Sequence, residues 1–218
     1  MGPYHNIETV RCPVIWCHGN HEDFVELRKT IGPGALDPVD AFGRIMFLRS
    51  GHVVEVAGIR IAAVGGGVEI ENGDNDDNPC VYAKENACQK LIDTSDEGTQ
   101  AFDVLITHVS PEGISSQNTL RGSKLLRIVD EMCQPSYHFY AHHKNLIAAD
   151  VADTIGNTQC FWLNDVTFKK QNQGMFPFGP LEKECMGILS WNSPTEHHFE
   201  VLHESWQSKI TWSNWYHI

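Results

Sequence analysis

No apolar run in this chain is long enough to cross a bilayer: the longest, such as residues 59–68, is short and interrupted by glycine. The N-terminus has no charged segment followed by an apolar one, so no secretory signal is expected. Both absences lead to the expectation of a soluble, cytoplasmic protein. Cys12, Cys17, Cys80, Cys88, Cys133, Cys160 and Cys185 form an odd set of seven with no CxxC pair and no zinc-knuckle spacing. That excludes a disulfide framework or structural zinc site as the default, and the cysteines read as reduced core residues. Positive charge is also scarce: 16 Lys and Arg against 28 Asp and Glu give a formal net charge of -12. Proteins that hold nucleic acid by neutralising phosphates need clustered Lys and Arg, which this balance disfavours. A nucleotide or nucleic-acid substrate stays open, because a bound divalent cation supplies positive charge locally. No Pro/Ser/Gly-rich linker, low-complexity run or solenoid repeat divides the 218 residues. One domain over 1–218 is expected, with an elaborated part from about residue 174.

What the chain does contain is a recurring arrangement of short buried strand and polar turn. Residues 10–17 (VRCPVIWC) read as a strand that ends in His18, Gly19, Asn20, His21 and Glu22. Phe24, Leu27, Arg28 and Ile31 then fall at helical spacing until Gly32, Pro33 and Gly34 stop the helix. Residues 53–56 and 59–64 flank Ala57 and Gly58 as a hairpin, and the second strand runs into Gly65, Gly66 and Gly67. Residues 104–107 deliver His108, and residues 137–141 deliver His142 and His143. Between them, Leu125, Leu126, Val129 and Met132 give residues 123–132 an apolar helical face. Further strands are expected at 159–163, 187–191 and 199–202. Polar side chains just past strand ends are where α/β folds place ligands.

The ordered set Gly19-Asn20-His21-Glu22, Thr107-His108 and Ala141-His142-His143 resembles three of the five sequence blocks of the calcineurin-like metallophosphoesterases. The resemblance covers residues 10 to about 164. It implies an α/β fold of two packed mixed β-sheets flanked by helices, and a metal-dependent phosphoesterase, with phosphodiesters preferred over monoesters. It implies Asn20, His108 and His142 as metal ligands, and His21 as the catalytic residue that stabilises the transition state or protonates the leaving oxygen. One or two ions of Mn, Fe or Zn would be the cofactor, since amide oxygen and neutral imidazole suit borderline divalent ions.

The sequence departs from the family in two places. Only 18 residues precede Gly19, too few for the Asp-x-His and Gly-Asp blocks that come first in the family. The fold is therefore expected to lack its first strand and helix, as a one-metal variant or an N-terminally incomplete fragment of an active enzyme. In the last block, Lys144 stands where a second ligand His is usual, and a charged ammonium has no lone pair for a cation. His143 and Lys144 are accordingly assigned to substrate binding. A catalytically inactive binding or scaffold domain with the phosphoesterase fold is the alternative.

Other features have plainer readings. His5, His52, His138, His197, His198, His203 and His217 are read as surface or satisfied core side chains. Asp74, Asp76, Asn78 and Glu85 match four positions of a calcium-loop template, but Pro79 occupies the position that needs glycine, so the stretch reads as a solvated acidic loop. Trp206, Trp212 and Trp215 suggest core packing or a face for homo-oligomer association.

Overall fold

The computed structural model describes residues 12–67, 85–95, 100–114, 122–142, 153–164, 184–202 and 209. Among these residues the chain forms a mixed α/β fold with three helices, α1 (Phe24–Thr30), α2 (Glu85–Asp93) and α3 (Lys124–Cys133). The largest sheet has six strands in the order β4 (His52–Val56), β5 (Ile59–Val64), β6 (Val104–Thr107), β7 (Tyr137–Tyr140), β9 (Thr158–Trp162) and β8 (Asp153–Ile155). Strands β5, β6, β7 and β9 are parallel, and each edge is closed by an antiparallel partner. A second sheet has the order β1 (Val14–Trp16), β3 (Ile45–Leu48), β2 (Leu36–Pro38), with β1 parallel to β3. The strands β10 (Gly187–Ser193) and β11 (Glu196–Val201) pair as an antiparallel hairpin.

The period-two alternation of the central strands separates two cores. Ile61, Val104, Ile106, Tyr137, Phe139 and Phe161 point to one face, where Phe199, Leu189 and Trp191 of the hairpin cover them. Ala62, Val64 and Leu105 point to the other, against Cys88 and Leu91 of α2 and Leu126, Val129 and Cys133 of α3. Phe199 lies 4.6 Å between ring centroids from both Phe139 and Phe161, so the hairpin is held by aromatic packing.

Two sheets were expected, and three separately hydrogen-bonded ones are found among the described residues. The sheet stacked on the large one is a plain antiparallel hairpin, and the other mixed sheet lies at the ends of its strands. The first strand is shorter than 10–17, beginning at Val14 because Pro13 has no N–H for the ladder. The helix expected over 123–132 forms one residue later, with Ser123 as its N-cap accepting from Leu126 N–H at 3.1 Å. Strands β2, β3 and β8 and helix α2 were not expected. Each is short, and α2 buries only Ala87, Cys88 and Leu91, a stripe too small to stand out. None of the described cysteines forms a disulfide, among them Cys12, Cys17 and Cys160. No helix among the described residues is long and apolar enough to cross a membrane. Trp206, Trp212 and Trp215, and the acidic loop with Asp74, Asp76 and Asn78, lie outside the described residues.

Candidate metal site

Three loops converge where the second sheet meets the ends of the large one. The first leaves β1 and carries Asn20; the others leave β6 and β7 and carry His108 and His142. His108 Nε2 lies 3.0 Å from Asn20 Oδ1, and the rings of His108 and His142 are 4.3 Å apart. All three side chains are half-buried.

Local chemistry explains each placement. The turn after β1 is closed by Glu22, whose Oε1 accepts from Gly19 N–H at 2.7 Å while Oε2 accepts from His21 N–H at 3.2 Å. Asp23 then caps α1 by accepting from Val25 and Glu26 N–H groups. Gly19 has to be glycine because a Cβ there would sit 2.7 Å from His108 Cε1. The absent side chain is the space that the imidazole occupies. Ala141 N–H donates to His108 C=O at 3.3 Å, joining the second and third loops. His142 itself has φ 66°, the left-handed region that costs a non-glycine residue energy and collects at functional sites.

Below the first loop is a buried support that the sequence did not reveal. His18 is 8% exposed, stacks on Phe47 and meets Phe24 edge-on. Its C=O accepts from Gly66 N–H at 3.1 Å, and a Cβ on Gly65 would lie 2.5 Å from that oxygen. The glycine run after β5 is thus a close backbone crossing over His18. Ser50 Oγ accepts from Gly65 N–H at 2.9 Å and lies 3.4 Å from His18 Nε2. Cys17 is half-buried with its Sγ toward Ile106 C=O, and desolvation with the nearby Glu22 charge pushes its thiol up to about 12.

Of the residues singled out from sequence, the structure brings Asn20, His108 and His142 together. His21 follows Asn20 on the same turn and is exposed. His143 and Lys144 lie outside the described residues. Glu22, His18, Ser50 and Gly65 were missed as supports; the Glu three residues after Gly19 was the one readable signal, since that spacing suits a side chain closing its own turn.

Two of these donors are spaced as neighbouring ligands of one divalent ion would be. Two ligands at neighbouring positions of an octahedral ion with bonds of about 2.1 Å are about 3.0 Å apart, and the Asn20 oxygen and His108 nitrogen already have this separation. A second group could also hold a metal ion: Asp130, His138 and Cys160, all buried, offer three ligand atoms within 4.8 Å of one another.

No protein-family model matches the chain, and no curated protein matches it in sequence. Among solved structures, the chain is similar to TT1561 of Thermus thermophilus, with TM-score 0.50 and 14% identity over 70% of this chain. The likeness is one of fold. The matched part spans 63% of that structure's length.

Proposed function

We propose that this protein is a metal-dependent phosphoesterase of the calcineurin-like kind, acting on phosphodiesters in preference to monoesters. The observation that carries the reading is the meeting of Asn20 Oδ1, His108 Nε2 and the His142 ring at the junction of three loops. Asn20, His108 and His142 would hold one Mn, Fe or Zn ion, which when bound supplies Lewis acidity toward phosphate and toward an attacking water. The chain's own groups do the remaining work. The Glu22-closed turn holds the Asn20 amide oxygen at its distance from His108, and the glycine at position 19 lets the imidazole approach. His21, exposed beside Asn20, donates to the phosphoryl or leaving oxygen. His143 and Lys144 contribute positive charge and donors toward the substrate phosphate, compensating locally for the acidic surface. A phosphate ester such as a nucleotide or a nucleic acid is the substrate class that goes with this reading.

Hydrolysis of a generic phosphodiester with added Mn tests the reading. Asn20→Ala and His108→Ala are expected to abolish turnover and metal binding together, whereas His21→Ala lowers turnover and leaves metal affinity nearly unchanged. Protein that binds no Mn and hydrolyses nothing refutes the enzyme reading and favours a scaffold domain.

A further inference from the structure

Behind the candidate site, a line of buried polar groups runs from α3 through the large sheet to the loop that carries His108. Asp130 Oδ2 lies 2.8 Å from His138 Nδ1, and His138 Nε2 lies 2.8 Å from Thr107 Oγ1. Thr107 Oγ1 in turn donates to Val109 C=O at 2.7 Å. Asp130 and His138 are 0% exposed and Thr107 is 6% exposed. Groups so deeply buried are costly unless every proton is placed, so the proton count can be worked out.

The Thr107 hydroxyl has one proton, and it goes to Val109 C=O. Thr107 Oγ1 is therefore the acceptor toward His138, and Nε2 carries a proton. The remaining contact, Nδ1 to Asp130 Oδ2, also needs one proton between its atoms. Whether imidazole or carboxyl holds it, the pair as a whole carries no net charge, which is how a carboxylate-bearing residue can be fully buried. Both imidazole nitrogens are then committed to protein partners, and a metal ion held by Asp130, His138 and Cys160 would have to displace the proton between Asp130 and His138.

We propose that Asp130 and His138 are positioning residues that orient His108 through Thr107, an inference that rests on the reading of His108 as a ligand. His108 lies between the residue that gives the hydroxyl and the residue whose carbonyl receives it. The Thr107 to Val109 bond therefore fixes the backbone on both sides of the imidazole just as the chain leaves β6. The pair acts from the far side, because His138 holds the Thr107 hydroxyl in the one rotamer that reaches Val109. Partners of this kind set the direction of ligand imidazoles, and their loss typically weakens metal affinity by about 10- to 100-fold.

The test uses the whole chain and two paired substitutions. Thr107→Val keeps the shape and removes the hydroxyl; Thr107→Ser restores it. Asp130→Leu cuts the line; Asp130→Asn keeps it, because an amide N–H can donate to Nδ1. The readouts are the His108 ring nitrogen signals by NMR, taken without metal, and the Mn dissociation constant. Displaced His108 signals and at least a tenfold weaker Mn constant are expected in Thr107→Val and Asp130→Leu, with near wild-type behaviour in Thr107→Ser and Asp130→Asn. If the first two variants fail to fold, Asp130→Asn decides, and altered His108 signals in that folded variant overturn the proposal. Unchanged signals in folded Thr107→Val also overturn it, as does a stoichiometric zinc ion lost on Cys160→Ser. Should the wild type bind no Mn, the metal reading fails, while the His108 signals still decide whether the line orients that side chain.

Discussion

Replacing Gly19 with alanine tests the candidate site through a single methyl group. The backbone at Gly19 does not have a positive φ, so the variant suffers no conformational strain of the kind Gly43 or Gly58 would. Its cost is steric. The added Cβ would lie 2.7, 2.8 and 3.0 Å from three atoms of the His108 ring, whereas ordinary contact begins at 3.4 Å. The ring must therefore withdraw by about 0.7 Å or the turn must lift by as much, at a cost of about 1–3 kcal/mol for overpacking. Either movement separates His108 Nε2 from Asn20 Oδ1, now 3.0 Å apart. Displacements approaching 1 Å at a reacting centre cost about a hundredfold in rate. Urea unfolding should report the stability loss, and Mn titration a weakening of at least tenfold. The companion experiment is Gly19→Ala in a His108→Ala background, where the methyl group has nothing to strike and should cost little. Equal destabilisation in both backgrounds would refute the argument, because the penalty would then arise somewhere other than the imidazole.

Three other outcomes follow from the geometry. Asp103 is buried and takes hydrogen bonds from the Arg60 backbone N–H, Nε and Nη2, and because Arg60 keeps partial access to water, Asp103→Ala should cost about 2 kcal/mol in urea unfolding. Asp40 accepts from the backbone of Ile45, Phe42 and Arg44, which lowers its pKa. The stabilisation is therefore present above the ordinary carboxyl range and lost as pH falls through the folded value, and the gap between wild type and Asp40→Ala should close in acid. Burial raises the Cys17 and Cys160 thiols, so alkylation of native protein at pH 8 should label exposed Cys12 and spare both until denaturant is added.

Legibility followed the distance over which a signal acts. The turns at Asn20, His108 and His142 could be read because each is a polar block directly behind an apolar strand. The helix at Lys124–Cys133 could be read because Ser123 and an apolar stripe mark it locally. Strands β2 and β3, which complete the second sheet beside β1, could not. Strand β2 has the sequence Leu36-Asp37-Pro38, and its place depends on Arg49, whose guanidinium reaches Asp37 and the carbonyls of Gly32 and Gly34. His138 looked like an ordinary core histidine on an alternating strand, and by burial it is one. Its partner Asp130 comes from α3, and only the packing of that helix on the sheet brings the two together.

The three gathered side chains do not belong to one sheet. Asn20 follows β1 of the three-stranded sheet, while His108 and His142 follow strands of the six-stranded one, and no ladder among the described residues joins the two. An occupant shared by these residues would act as a further rivet between two sheets that the Gly66 to His18 backbone hydrogen bond already joins, and its binding free energy would add to their docking. Amide exchange should register this unevenly. With Mn present, protection should rise most in β1 and β3, the smaller body, and least in β6 and β7, which their own neighbours already hold.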